Sequence, residues 1–126
     1  FNSITIDCEK VQSHLALPIE ISGPNGVIGC RALFDTGASV TVLPSKVIAS
    51  TGSDNLQNAP HRTFDTISGT ISCPTVTREV NIGGIRKDIE VAVDLRDAVC
   101  LVGMNFFEGM DYIVDSGHAA LYMWEK

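Results

Sequence analysis

No apolar stretch in this sequence approaches the roughly 20 residues that a helix needs to cross a bilayer. No low-complexity segment, domain linker or exact repeat interrupts it. Basic charge is scarce: nine Lys and Arg stand against fifteen Asp and Glu, a formal net charge of −6, and only Arg86 and Lys87 are adjacent. A nucleic-acid binder needs a basic patch to neutralise phosphates, so that class is excluded. Cysteine occurs four times, as Cys8, Cys30, Cys73 and Cys100, with no Cys-x-x-Cys pair and no His at metal-ligand spacing. No zinc or other metal site is expected. If these cysteines paired, the sequence would not say how. Cys30 and Cys100 lie inside apolar runs, where free thiols are the simpler reading. A Gly-x-Ser-x-Gly elbow, a phosphate loop and a dinucleotide fingerprint are all missing. His14, His61 and His118 stand apart from any nucleophile-like Ser or Cys and read as solvated or turn histidines.

What remains is an ordinary globular composition. The 126 residues are 44% apolar and 19% charged, enough for one domain with a real core and too few for two. The first residue is Phe1 rather than Met, so a leader or anchor ahead of it stays an open expectation.

One stretch concentrates the chemistry. The apolar run Ala32-Leu33-Phe34 delivers the carboxylate of Asp35 into a turn with Thr36, Gly37, Ala38 and Ser39, and the β-branched run Val40-Thr41-Val42 leaves at once. Gly37 makes such a turn without a Cβ penalty. An acid set between two buried strands costs several kcal/mol if it ionises alone, so the placement suggests chemistry. The plainer reading is a turn carboxylate bonded to its own backbone, since Asp and Gly are common in turns.

The rest of the chain supplies strands around that turn. Alternation over 17–21 and the run 27–34 flank the turn residues Gly23-Pro24-Asn25-Gly26, which predicts a hairpin ending at Asp35. Residues 1–14 hold a short β-like piece, Ile4-Thr5-Ile6, and read as an extra strand or an arm ahead of a single domain over 15–126. Residues 45–50 suit one or two helical turns, and the polar span 51–61 reads as a loop. Residues 62–67 and 70–73 form a second hairpin with the apolar Ile67 at its tip, beside Ser68 and Gly69. Pro74 suits an edge or a bulge. Residues 76–82 and 85–93 form a third hairpin around Gly83-Gly84, and 94–97 read as a loop. The run Ala98-Val99-Cys100-Leu101-Val102-Gly103 reads as a strand buried on both faces. Residues 104–108 read as a short helix, and a last hairpin closes around Asp115-Ser116-Gly117. About eight short strands with one or two short helices predict a closed all-β domain.

Three of these elements, in order, resemble the retropepsins, the dimeric aspartic peptidases of retroviruses, and more closely the retropepsin-like domains of bacteria. They are Leu33-Phe34-Asp35-Thr36-Gly37-Ala38-Ser39, the hairpin over 66–71, and Leu101-Val102-Gly103-Met104-Asn105-Phe106-Phe107. The resemblance spans 15–124. It implies a closed β-barrel equivalent to one lobe of an acid protease, hydrolysing peptide bonds of a peptide or protein substrate with no cofactor.

It further implies that Asp35 is catalytic and works as a dyad with Asp35 of a second copy in a two-fold homodimer, since one chain offers a single such turn. Two close carboxylates share a proton, one taking a proton from water and the other donating to the carbonyl, as known for aspartic proteases as a class. Acidic to mildly acidic pH is then expected to favour activity. Thr36 would lock the two turns together, Gly37 and Ala38 would complete the active-site turn, and Val99 and Leu101 would line apolar pockets. Thr66, Ile67, Ser68 and Gly69 would form a flap closing over an extended peptide. Bacterial relatives are often membrane-tethered, so a membrane would be met only through an anchor outside this sequence.

Two look-alikes are set aside. Ile113-Val114-Asp115-Ser116-Gly117 mimics the second motif of a two-lobed pepsin, but too few residues follow it to build that lobe. Ile82-Gly83-Gly84-Ile85 mimics a viral flap tip, but it follows another complete hairpin. Ser39 stands where many viral members carry an acid, which changes salt-bridge partners rather than chemistry. The rival functions are a protease-like module that holds a peptide without cutting it, and a latent monomer that dimerises only when tethered.

Overall fold

Period-two alternation is clearest at Leu17, Ile19 and Ile21, which are buried, with Pro18 and Glu20 exposed between them. A pleated strand sends neighbours to opposite faces, so this pattern gives a strand with one face in the core. A computed structural model describes residues 3–66 and 69–126. Its elements, in chain order, are β1 (Ile4–Asp7), β2 (Glu9–Val11), β3 (His14–Gly23), β4 (Gly26–Phe34), β5 (Thr41–Pro44), α1 (Ser45–Thr51), β6 (His61–Thr66), β7 (Gly69–Ile82), β8 (Ile85–Asp94), β9 (Leu101–Val102), β10 (Met110–Asp115) and β11 (Ala120–Glu125).

The larger sheet runs β2-β3-β4-β9-β5-β8-β7-β6, and β3 also pairs with β7 through Glu20↔Asn81, Ile21↔Val80 and Ser22↔Glu79. That last pairing closes β3-β4-β9-β5-β8-β7 into a ring, the closed all-β architecture expected. Closure leaves β2 and β6 as the outer strands of this sheet and encloses a core around Leu17, Ile21, Leu43, Val80, Val91 and Val102, all essentially inaccessible to water. A smaller sheet, β1-β11-β10, packs the N-terminal strand against the closing hairpin, with Ile6 opposite Leu121. Residues 4–7 and 9–11 are thus strand, one pairing β11 and the other β3.

Pro74 lies within β7, and its place explains why it is tolerated. It is opposite His61 of β6, and the next residue, Thr75, is opposite Ala92 of β8. The missing N–H falls where the strand changes partners.

Helix α1 buries Val47, Ile48 and Thr51. The β3–β4 turn docks on its C-terminal end, where the Asn25 N–H donates to the Thr51 carbonyl at 2.9 Å. A Cβ on Gly23 would stand 2.2 Å from that carbonyl oxygen, so only glycine fits. Arg78 of β7, 3% exposed, donates to the Ile48 carbonyl and the Thr51 hydroxyl and pairs with Asp54. Helix, loop and barrel are thereby joined through one buried guanidinium.

Two expectations are corrected. Residues 104–108 do not form a helix; they are a run of turns, with Phe106, Phe107 and Met110 each donating to the carbonyl three residues back. Phe107 packs on Phe106, Phe34 and Tyr112, and the chain re-enters a strand at Met110. The run 98–103 is not a strand buried on both faces. Only Leu101–Val102 is strand; Ala98 is exposed and Val99 is 40% exposed. An apolar run can be apolar because it walls a cavity rather than because it is enclosed.

Candidate active site

The turn at Asp35 is built from below by aromatic packing. Phe34, the last residue of β4, meets Phe107 edge-on with ring centroids 5.2 Å apart and Tyr112 at 5.3 Å. Edge-to-face contacts of this kind favour fixed ring orientations, which sets the direction in which β4 ends.

From the side the turn is held by β9, which runs parallel to β4 and antiparallel to β5. The Asp35 N–H donates to the Val102 carbonyl at 3.2 Å, and the Ala38 N–H turns back to the Asp35 carbonyl at 3.3 Å. The chain beyond β9 then passes under the turn: the Met104 N–H donates to Ala38 at 2.8 Å and the Asn105 N–H to Ser39 at 3.1 Å. This crossing needs a residue without a side chain at 103. A Cβ on Gly103 would lie 2.5 Å from the Val40 carbonyl and 2.9 Å from that of Ala38. Thr41 and Asn105 close the crossing with side-chain hydrogen bonds, and the Thr41 hydroxyl also accepts the Gly103 N–H at 3.1 Å.

Asp35 itself is half-buried, and its Oδ1 accepts the Gly37 N–H at 2.9 Å. One carboxylate oxygen is thus fixed by the turn. The hydrogen bond is the one expected of a plain turn aspartate, and the surroundings are not. Asp35 opens into a cavity of about 540 Å³ whose apolar walls include Val42, Phe64, Ile71, Val99 and Leu101. Gly37 and Ala38 line the same cavity. Thr36 is exposed and faces a smaller hollow of about 270 Å³ on the other side of Asp35, with His14, Val114 and Ser116.

The structure therefore brings together Asp35, Gly37, Ala38, Val99 and Leu101, and sets Thr36 beside them facing outward. The β6–β7 hairpin reaches the same cavity through Thr63, Phe64, Ile71 and Cys73. Of the residues expected at its tip, Thr66 pairs with Gly69 in the ladder, and Ile67 and Ser68 lie outside the described residues. Phe64, Ile71, Cys73, Val42 and Asp94 line the cavity without having been expected. For Phe64 and Ile71 the signal was available, since alternation along a hairpin puts directly opposed residues on one face. For Asp94 there was none.

Other chemistry-bearing groups are spent elsewhere. Asp115 closes the β10–β11 hairpin, accepting the His118 N–H at 3.2 Å and facing His118 Nδ1 at 2.8 Å. That contact holds the Asp115 carboxyl below its ordinary range. A larger hollow of about 710 Å³ beyond Ser39 and Val40 is lined by Asp88 and Glu108 and by two engaged cations, Arg62 on Glu90 at 2.8 Å and Lys87 on the Glu108 carbonyl at 2.7 Å. Among the described residues, no three His, Cys, Asp or Glu side chains converge as metal ligands would.

Comparison with known proteins bears on the same residues. A family model described as "gag-polyprotein putative aspartyl protease" matches residues 22–109, a span containing the Asp35 turn, the β6–β7 hairpin and β9. Among solved structures the chain is similar to a retropepsin-like aspartic protease from Rickettsia conorii. The two share 25% identity and a TM-score of 0.69 over 97% of this chain and 90% of that one. No curated protein sequence matches.

Proposed function

The chain belongs to the gag-polyprotein aspartyl protease family, and on that premise we propose that it is an aspartic endopeptidase whose Asp35 acts with the Asp35 of a second copy across a two-fold axis. Residues 15–126 serve as the protease domain, with β1 and β2 ahead of it as outer strands. The observation that carries the reading is the position of Asp35, an acid oriented by the Gly37 N–H and opening into an apolar cavity of peptide-binding size.

The chemistry follows from what one such acid lacks. Water attack on an amide needs a base to take the water proton and an acid to protonate the carbonyl oxygen. One carboxylate cannot do both in the same step. Two held close do, because they carry one proton between them: ionising both at that separation is too costly. Thr36, exposed beside Asp35, is placed in this reading to bond its counterpart and fix the spacing of the pair. The substrate lies extended in the cavity, its side chains against Val99 and Leu101. The hairpin tip of Thr66, Ile67, Ser68 and Gly69 closes over its main chain as an added strand would.

The test is cleavage of a peptide library from acidic to neutral pH by the wild type and by Asp35→Asn. The wild type is expected to cut, best on the acidic side, and Asp35→Asn to be inactive with an unchanged unfolding temperature. Cutting by Asp35→Asn at the wild-type rate would refute the assignment. A wild type that binds peptides and never cuts them would replace it with a binding module.

A further inference from the structure

The loop between β8 and β9 carries Val99 into the cavity, and it is organised by a single side chain. Asp94, the last residue of β8, is fixed in register opposite Pro44 of β5. Its Oδ1 accepts the Arg96 N–H at 3.0 Å, and its Oδ2 accepts the N–H groups of Ala98 at 2.8 Å and Val99 at 2.7 Å. Its carbonyl also accepts the Asp97 N–H at 3.2 Å. A carboxylate offers about four acceptor directions, so three backbone donors leave it little capacity for anything else. Bonds to an ionised acceptor are about twice as strong as neutral ones, which suits a loop with no ladder of its own.

The same loop is tied at a second point, away from the cavity. Asp97, at φ 55°, accepts the Ser45 hydroxyl at 2.7 Å and the Lys46 N–H at 3.1 Å at the start of α1. The two carboxylates divide the work. Asp97 moors the loop to the helix, whereas Asp94 sets where the chain re-enters the cavity at Val99. Asp94 borders the cavity too, but its oxygens are turned to the loop's N–H groups.

We propose that Asp94 is a positioning residue for substrate specificity: by gathering the N–H groups of Arg96, Ala98 and Val99, it fixes the Val99 wall and so the size of the apolar side chain accepted beside Asp35. The proposal rests on the endopeptidase reading for its substrate, a peptide with an apolar residue next to the cut bond. The residue touches no reacting atom in this account. It acts through Val99.

The experiment compares the full chain, Asp94→Asn and Asp97→Asn on peptides that differ only in the apolar residue at the cut, from Ala through Val and Leu to Phe. Asparagine keeps the size of Asp94 but turns an NH₂ toward donors that need an acceptor. For Asp94→Asn, KM is expected to rise about 10-fold for the preferred side chain with kcat within about 2-fold, and discrimination along the series to flatten. Asp97→Asn should lower stability without altering the order of preference. Amide hydrogen exchange gives a readout that needs no cleavage: Ala98 and Val99 should be protected in the wild type and exposed in Asp94→Asn. An unchanged preference profile in Asp94→Asn would overturn the proposal. If the wild type cuts nothing, the endopeptidase reading falls, and unprotected Ala98 and Val99 amides in the wild type would separately overturn the role of Asp94.

Discussion

The side-chain carbonyl of Asn105 accepts two hydrogen bonds from Thr41, from its amide at 3.0 Å and from its hydroxyl at 2.9 Å. The Asn105 NH₂ group meanwhile donates to the Glu90 carbonyl at 2.8 Å. Thr41 begins the strand that leaves the Asp35 turn, Asn105 follows the chain that crosses beneath it, and Glu90 belongs to the next strand outward. One amide thus joins three segments whose relative position decides where Asp35 points.

Replacing Asn105 by Ala is expected to cost about 3 kcal/mol, since Thr41 is fully buried and would keep two donors without their acceptor. Urea unfolding of the variant measures this. The same substitution should lower kcat, because the crossing that supports the turn loosens. A variant as stable and as active as the wild type would show that the amide holds nothing in place.

The pair formed by Arg78 and Asp54 gives stability a pH dependence. The hydrogen bond from Arg78 holds the Asp54 carboxyl below its ordinary range. A folded-state value below the unfolded one stabilises the fold fully above about pH 4, and that contribution is lost as pH falls through the folded value. Arg78 is 3% exposed and Asp54 29%, so water screens the pair from one side. Asp54→Asn should therefore cost about 2 kcal/mol at neutral pH, between the values for exposed and buried pairs. Unfolding free energies of the two proteins should converge as the acid limit is approached. A gap of constant size down to about pH 2 would contradict the assignment to this charge.

The four free thiols are not equivalent. The sulfurs of Cys30 and Cys100 are 4.0 Å apart. A hydrogen bond from Cys100 lowers the pKa of Cys30, and the same contact, with burial, pushes Cys100 up. Burial raises Cys8 and Cys73 as well. Cys30 also lines a surface hollow of about 470 Å³, so a reagent reaches it. Because the thiolate is the nucleophile, limiting iodoacetamide near neutral pH should label Cys30 first. Peptide mass mapping checks this, and first labelling at Cys8, Cys73 or Cys100 would contradict it.

Much of this was legible in the residues. Alternation at Leu17, Ile19 and Ile21 and the turn residues 23–26 marked the first hairpin, and the apolar runs either side of Asp35 marked the turn. The closure of β3 onto β7 was not legible, because Ile21↔Val80 is a pairing between strands far apart in sequence. The apolar run 98–103 misled because burial in a core and exposure to a cavity select the same residue types. Phe106 and Phe107 suggested helix, yet the chain there runs through successive turns, each closed by an N–H bond to the carbonyl three residues back. The role of Asp94 left no mark at all, since three bonds to backbone N–H groups depend on loop geometry and not on any partner side chain.

The central claim is that one acid does nothing without its twin, and mixing subunits tests it directly. Wild-type chain and Asp35→Asn are combined at constant total concentration, allowed to exchange, and assayed for initial rate of peptide cleavage. If each active site needs Asp35 from two copies, activity should fall as the square of the wild-type fraction, to about a quarter in an equal mixture. Activity falling in simple proportion, to about half, would mean that each chain cuts alone and would contradict the account.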